Sequence, residues 1–134
     1  MNFKRTQLFQ KTYASELIRI ARADLQAAIT LHLGNPGRPE NIFFMAQQAI
    51  EKALKSLLCF KGLPVPLTHD LNTLLMSLPE TISPPHADQI EDLTQFATIR
   101  RYEEGAFVFT AKEVATLMKV TESIVSWAEK LIQN

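Results

Sequence analysis

The sequence has few of the residues and motifs on which common enzyme chemistries depend. Its 134 residues include one cysteine, Cys59, and only four glycines. A single cysteine cannot form an internal disulfide, which is typical of a reducing compartment, so we expect a cytoplasmic protein. Glycine-rich phosphate loops, Cys-x-x-Cys pairs and the His-Glu-x-x-His motif are absent from the sequence. We therefore expect neither a metal site nor a cofactor.

Net charge and long apolar runs are missing as well. Fourteen basic residues balance fourteen acidic residues, which removes the general attraction on which non-specific nucleic-acid binding depends. No apolar run approaches the roughly 18 residues of a membrane span, and residues 1–11 lack the apolar segment of a secretory signal. We expect no membrane contact, and a single domain over residues 12–134 that follows an N-terminal extension, residues 1–11.

Apolar residues at intervals of three and four predict three long helices. The first runs from about Thr12 to Leu33 and ends at Gly34, and the second runs from about Pro39 to Lys61. The last helix begins at Thr110, where Thr110 and Glu113 match a capping box. The residues predicted to face the core include Leu17, Ala21, Leu25, Ala28, Ile42, Phe43, Ala46, Ala49, Ile50, Ala53, Leu54, Leu57, Val114, Leu117, Thr121, Ile124, Val125 and Ala128.

Two further helices are predicted between the second and the last. A short helix follows Thr68 and is closed by Pro79. The next helix has Ser83 as its N-cap and Pro84 at its first position, and it extends to about Arg101. Tight connections between five such segments predict an all-α fold, an antiparallel up-and-down bundle of four long helices plus one short helix.

Charged or polar residues at the apolar helix faces are the candidate binding residues. Asp24 lies on the apolar ridge of the first helix, while Glu51 lies at the boundary of the apolar face of the second helix. Gln47 comes one turn before Glu51, and Lys55 comes one turn after it. Because an unpaired buried charge is costly, these side chains either pair across the bundle and fix its register or line a cleft. Such a cleft would receive a phosphate, a nucleotide or a partner side chain.

The same two interpretations apply to Arg100 and Arg101, which follow the apolar face of the fourth helix. The planar guanidinium group suits phosphate binding. His69 lies between Thr68, which can cap the short helix, and Asp70. From the sequence, His69 either hydrogen-bonds a neighbouring loop or has a direct chemical role.

Val120 and Trp127 lie on the flank of the last helix, outside its main apolar stripe. A tryptophan in this position either covers the edge of the bundle or anchors a dimer or partner interface, where aromatic residues are enriched. Both residues are therefore interface candidates.

The order and spacing of four sequence blocks resemble the HEPN family. The blocks are residues 23–28 in the first helix, residues 47–58 in the second, residues 68–71 before the third, and Arg101-Tyr102 after the fourth. The resemblance extends over roughly residues 12–131. It implies a bundle of four to five helices, often dimeric, that associates with minimal nucleotidyltransferases as a separate subunit or as a fused domain.

Many members of that family are ribonuclease toxins of two-component systems. The resemblance implies that those members carry an arginine followed, after four to six intervening residues, by a histidine, and that they cleave RNA without a metal. At that spacing from Arg100 and Arg101, positions 105–108 hold Gly, Ala, Phe and Val, and no histidine follows His86. Cleavage of that type needs a group that transfers protons near neutral pH, as imidazole does.

We therefore expect a non-catalytic partner or binding module that acts with a nucleotidyltransferase and binds a nucleotide or another phosphate-bearing ligand. The residues expected to bind the ligand or partner are Asp24, Gln47, Glu51, Lys55, His69, Arg100, Arg101 and Tyr102. The alternative is a metal-independent ribonuclease in which Arg101 stabilises the phosphate and His69 assists proton transfer, although RNA is the less favoured ligand. A third hypothesis is an adaptor or homodimeric scaffold without a ligand.

Overall fold

The structure of the protein, a computed structural model, describes residues 3–34, 38–92 and 110–133. These residues form helices and connections, without a strand among them, and the predicted all-α fold is confirmed. The helices are α1 (Phe3–Leu33), α2 (Glu40–Phe60), α3 (Leu71–Ser77), α4 (described over residues 87–92) and α5 (Ala111–Gln133).

The apolar contacts at the two ends of the bundle give the directions of the long helices. The start of α1 and the end of α2 share a cluster of Ala14, Leu17 and Cys59. The end of α1 meets the starts of α2 and α5 in a second cluster of Ala28, Ile42, Phe43, Ala46, Val114 and Leu117. Helix α1 therefore runs antiparallel to both α2 and α5, as predicted for an up-and-down bundle. Among the described helices, none is long and apolar enough to cross a membrane.

Helix α1 is longer than the sequence pattern indicates. The prediction started this helix at about Thr12, whereas the helix begins at Phe3. Its buried residues Ala14, Leu17, Ala21, Leu25 and Ala28 keep the predicted spacing of three and four. The additional turns lie in residues 3–11, where basic residues interrupt the apolar pattern without preventing a helix, since lysine and arginine are good helix formers. The boundary of the N-terminal extension stays a prediction.

Helix α2 is the central element, because it packs against α1, α3 and α5. It begins after Pro39 and ends where Gly62 adopts a φ of 71°. The Gly62 N–H donates to the Cys59 carbonyl at 3.0 Å, and the Leu63 N–H donates to the Leu58 carbonyl at 2.9 Å. This is the Schellman arrangement, which requires a residue in the left-handed region and therefore favours glycine.

The cap of the short helix α3 differs from the prediction. Asp70, and not Thr68, is the N-cap: its carboxylate accepts hydrogen bonds from the Thr73 N–H at 3.3 Å and from the Thr73 hydroxyl at 2.6 Å. The Thr68 hydroxyl instead accepts a hydrogen bond from the Asp70 N–H at 3.0 Å. Both residue types are common caps, and the inward-facing Leu71 and Leu74 determine where the helix begins.

Helix α4 starts later than predicted. Its first helical residue is 87, not the position of Pro84. Pro84 precedes a second proline, Pro85, and the ring of a following proline disfavours the helical conformation. His86, with a φ of 58°, comes just before the helix, and its backbone carbonyl accepts a hydrogen bond from the Ile90 N–H at 3.1 Å. The predicted continuation of this helix to Arg101 lies outside the described residues.

Helix α5 confirms the predicted capping box. The Thr110 N–H donates to the Glu113 carboxylate, and the Glu113 N–H donates to the Thr110 hydroxyl, each at 3.1 Å. The predicted inward residues Val114, Leu117, Thr121, Ile124, Val125 and Ala128 are buried. The prediction that Val120 lies outside the apolar stripe of the last helix is wrong, because the residue is 1% exposed and belongs to the central core. Trp127, by contrast, is partly buried against that core.

Candidate functional site

Glu51 is a buried carboxylate at the centre of a group of charged side chains. Its residue is 1% exposed, on the face of α2 that also carries Ile50 and Leu54. One carboxylate oxygen lies 2.9 Å from Nδ1 of His69. The other oxygen accepts from the Lys55 ammonium at 3.3 Å and from the Lys52 ammonium at 3.5 Å. We call this group the Glu51 cluster and define it as Asp24, Gln48, Glu51, Lys52, Lys55 and His69.

The helical repeat accounts for the members of the cluster on α2. Lys55 lies one turn after Glu51, the order in which an acid and a base attract each other along a helix. Lys52 is held from both sides, because its ammonium group donates to the Gln48 side-chain oxygen at 2.8 Å in addition to Glu51. By helical spacing, Gln48 and Lys52 belong to the face of α2 opposite the core, whereas the predicted binding residue was Gln47, which is half-buried. The length and flexibility of the lysine side chain allow it to reach back across the helix.

His69 comes to Glu51 from the connection between α2 and α3. That connection is fixed at one end by the turn at Gly62 and at the other by the cap at Asp70, the residue that follows His69. The His69 side chain is 85% exposed even though its partner carboxylate is buried. An ionised carboxylate only accepts hydrogen bonds, so Nδ1 carries the proton and Nε2 is the nitrogen that can meet a ligand.

The partners of Glu51 keep its carboxylate charged. Burial alone would raise the pKa of Glu51, but the hydrogen bond from His69 and the charges of Lys55 and Lys52 outweigh it, and the pKa lies below its usual value. At neutral pH the cluster therefore contains a permanent buried anion that holds two ammonium groups and one imidazole. The two lysine side chains are mostly buried, with Lys55 16% and Lys52 23% exposed.

Asp24 approaches the cluster from α1 and behaves in the opposite way. Burial raises the pKa of Asp24, the charge of Lys52 lowers it, and the negative charge of Glu51 raises it further; the net shift is upward. The half-buried Asp24 thus lies near both residues of α2 without the close set of partners that Glu51 has. In the described part of the chain, no group of three or more His, Cys, Asp or Glu residues could hold a metal ion.

A second charged network joins α1 to α5, and sequence reasoning missed it. The Arg22 guanidinium forms a bidentate ion pair with Glu129, donates to both carboxylate oxygens of Glu122 at 3.1 and 3.2 Å, and donates to the Ser126 hydroxyl at 3.2 Å. We call these four residues the Arg22 network. By helical spacing alone, Arg22 belongs to the polar face of α1. The available signal was the spacing of Glu122, Ser126 and Glu129, which places all three on one face of α5.

An open groove of about 440 Å³ lies beside the Arg22 network. Its lining combines the side chains of Ile18 and Ile132 with those of Arg22 and Glu129. The carboxylates already occupy the Arg22 guanidinium, and this network serves mainly to join the first and last helices.

A known protein family matches the chain over most of its length. The sequence model of the HEPN domain matches residues 14–131. The chain belongs to the HEPN family. No match was found among curated proteins.

A solved HEPN structure has the same fold. The crystal structure of an archaeal HEPN homologue superposes with a TM-score of 0.61 and 22% sequence identity, over 89% of this chain and 97% of the other. At this identity the comparison establishes the fold alone.

Three of the four sequence blocks that resemble HEPN domains meet in space at the Glu51 cluster. Residues 23–28 supply Asp24, residues 47–58 supply four residues of α2, and residues 68–71 supply His69. The fourth block, Arg101-Tyr102, and the neighbouring Arg100 lie outside the described residues, so their participation stays a prediction. The HEPN signature in this chain is thus mostly one contiguous charged site and not a set of separate sequence features.

Proposed function

We propose that this HEPN domain is a non-catalytic binding module that holds a phosphate-bearing ligand at the Glu51 cluster and acts with a nucleotidyltransferase partner. The observation that carries the proposal is the convergence of three HEPN-like blocks around one buried carboxylate, which holds two ammonium groups and the His69 ring. In this proposal the partner supplies the metal-binding carboxylates and the transfer chemistry.

The physical argument concerns preorganisation. Free lysine side chains lose conformational entropy when they bind a ligand, whereas Glu51 already restrains the ammonium groups of Lys52 and Lys55. Each ammonium group has three donors, and the contacts to Glu51 and Gln48 leave donors that can serve an anion. A phosphate group is such an anion, and hydrogen bonds between charged groups are about twice as strong as neutral ones.

The test is nucleotide binding to the purified chain by calorimetry. The variant Lys55→Met removes one held ammonium group and keeps most of the side-chain length, and we expect about a tenfold loss of affinity, the effect of one charge-assisted hydrogen bond. Lys130→Met is the matched control, because Lys130 is exposed in the last turn of α5 and far along the chain from the cluster. Absence of nucleotide binding, or equal affinities of the two variants, would overturn the ligand half of the proposal.

The partner half is tested by co-purification from the native host. We expect a nucleotidyltransferase to be recovered with the wild-type chain and its recovery to fall for the double variant Lys52→Glu, Lys55→Glu. Recovery of unrelated proteins only, with the wild-type chain and with the double variant, would contradict the association.

A homodimer is also part of the proposal, with the partly buried Trp127 as its anchor. Light scattering of Trp127→Ala tests it, and a wild-type monomer would rule it out.

One observation favours the alternative function, a metal-independent ribonuclease. A buried carboxylate that holds Nδ1 of an exposed histidine, as Glu51 does for His69, orients the ring for proton transfer at Nε2. Under this alternative, RNA is cleaved in the presence of a chelator and His69→Ala abolishes the cleavage. An uncleaved RNA, or cleavage unaffected by His69→Ala, would remove this hypothesis.

A further inference from the structure

Among the described residues of the Glu51 cluster other than His69, two positive and two negative side chains cancel, so the charge of His69 decides the net charge of the cluster. Within the described part of the chain, His69 contacts Glu51, and the charged groups around that carboxylate come from α1 and α2: Asp24, Lys52 and Lys55. Asp70 follows His69 in the same connection. Two ammonium groups offset the carboxylates of Asp24 and Glu51. The Asp70 carboxylate is engaged by Thr73 at the start of α3.

The state of the His69 ring determines what a ligand meets. In the neutral ring, Nδ1 donates to Glu51 at 2.9 Å, and the exposed Nε2 presents a lone pair, which repels an anion. In the protonated ring, the bond to Glu51 becomes an ion pair and Nε2 becomes a donor. Protonation therefore adds one positive charge and one outward hydrogen-bond donor to the same surface without a rearrangement of the chain.

We propose that His69 makes anion binding at the Glu51 cluster dependent on pH, so that the site binds a phosphate-type anion more tightly when the imidazole is protonated. This inference rests on the anion-binding function proposed above. Histidine is the side chain whose charge ordinarily changes between about pH 5 and pH 8. Glu51 stays ionised over that range because its partners stabilise the charged form, so it continues to hold Nδ1 in both states of the ring.

Thermodynamic linkage makes the proposal reciprocal. If protonation of His69 strengthens anion binding, the bound anion must stabilise the protonated ring by the same factor. In an NMR titration of the histidine ring signals, we therefore expect the anion to raise the titration midpoint of His69 and to leave the midpoints of the other histidines unchanged. The rings of His32 and His86, at the end of α1 and before α4, serve as internal references.

The experiment uses sulfate as the probe, since its charge is constant between about pH 5 and pH 8. Affinities are measured by calorimetry at both ends of this range for the full chain and for three variants. We expect wild type and His32→Gln to bind sulfate about three- to tenfold more tightly at the acidic end, the effect of one partly exposed charged hydrogen bond. His69→Gln should show no such gain. Asp24→Asn should retain the gain, because Asp24 is not its source.

The outcomes separate this inference from the proposed function. Measurable sulfate binding with equal affinity at both ends of the range, or a gain that persists in His69→Gln, would overturn the inference and leave anion binding intact. Loss of the gain in Asp24→Asn would assign it to Asp24 and would equally overturn the inference. Absence of sulfate and nucleotide binding under all conditions would overturn the proposed function and the inference together. A midpoint shift confined to His69 would support the inference independently of the variants.

Discussion

The Glu51 cluster and the Arg22 network each have one charge held by several groups of opposite charge, but they differ in burial. Glu51 is 1% exposed, whereas the Arg22 side chain is 37% exposed. In the Glu51 cluster, a buried acid holds the ammonium groups of two mostly buried lysines. In the Arg22 network, the carboxylates of Glu122 and Glu129 bind a guanidinium that is in partial contact with water. Coulombic interactions are stronger away from water and less screened by salt. A contact in the Glu51 cluster is therefore expected to contribute more energy than a contact in the Arg22 network.

The comparison also separates a candidate binding site, the Glu51 cluster, from a structural link, the Arg22 network. The N–H groups of Arg22 donate to two acids and to Ser126, all on α5. Glu129 and Ser126 lie more than a hundred residues from Arg22 along the chain. The ammonium groups of the Glu51 cluster are restrained mainly by one carboxylate and retain donors for a ligand. We therefore expect substitutions in the Glu51 cluster to affect binding and stability, and substitutions in the Arg22 network to affect stability alone.

The largest expected effect is that of Glu51→Gln, which keeps the volume and removes the charge. The neutral amide can no longer compensate Lys52 and Lys55, and we expect a loss of about 2–3 kcal/mol in the free energy of unfolding, somewhat less than for a fully buried pair. Urea denaturation measures it. Glu16→Gln is the control, since Glu16 forms an exposed pair with Arg19 within α1 and should leave the midpoint unchanged. Equal urea midpoints for Glu51→Gln and Glu16→Gln would show that the charge of Glu51 does not stabilise the fold.

A smaller effect is expected when wild type is acidified. Because the pKa of Glu51 is lower in the folded chain than in the unfolded chain, its contribution is fully present above the unfolded value, about pH 4.3. It is lost as the pH falls toward the folded value. The stability difference between wild type and Glu51→Gln should therefore shrink on acidification, measured by urea denaturation between about pH 7 and pH 3. If the stability difference between the two proteins stays constant or grows on acidification, the pKa of Glu51 is not lowered by folding.

Arg22→Met tests the more exposed network. We expect a loss of about 1 kcal/mol at low salt, because the ion pairs connect two helices but are partly solvated. The loss should decrease in concentrated salt, unlike that of Glu51→Gln. Denaturation at two salt concentrations measures it, and Arg19→Met is the matched control within α1. A double-mutant cycle with Glu129→Gln assigns the energy to the pair; zero coupling would contradict a link between α1 and α5.

The smallest effect is expected for Asp24→Asn. Since the fold raises the pKa of Asp24, its charged form is disfavoured, and its contribution to stability declines as the pH rises through the folded value. Replacement by the neutral amide should therefore leave the stability within about 0.5 kcal/mol of wild type at neutral pH or raise it slightly. Thermal denaturation measures it. A destabilisation as large as that of Glu51→Gln would mean that Asp24 is an essential partner in the cluster.

The fold and several members of the Glu51 cluster could be predicted from the sequence for a clear physical reason. Helical periodicity assigns each residue to a face, so the buried residues of α2 and α5 and the unusual position of Glu51 could be predicted. Local rules also predicted the capping box at Thr110 and the end of α2 near Lys61, which is its C-cap. Local competition explains the errors at Thr68 and Pro84, where a neighbouring residue made the better cap or blocked the helix.

Two features depended on contacts that no local pattern contains. Lys52 belongs to the polar face by spacing, yet its ammonium group reaches Glu51 and Gln48. Val120 belongs to the flank by spacing, yet the other helices bury it at 1% exposure. A long side chain can leave the face of its own backbone, and a flank is buried whenever two neighbouring helices cover it, so spacing within one helix is insufficient.

By itself, the sequence determined that this chain is a helical bundle of the HEPN type, because periodicity and residue order are properties of the chain alone. It also determined that the histidine expected in the family's ribonucleases is missing after Arg101. Only the tertiary structure decided that His69 contacts Glu51 and that Arg22 contacts Glu129. These pairs lie 18 and 107 residues apart, and only the packing of helices brings such distant charges within hydrogen-bond distance.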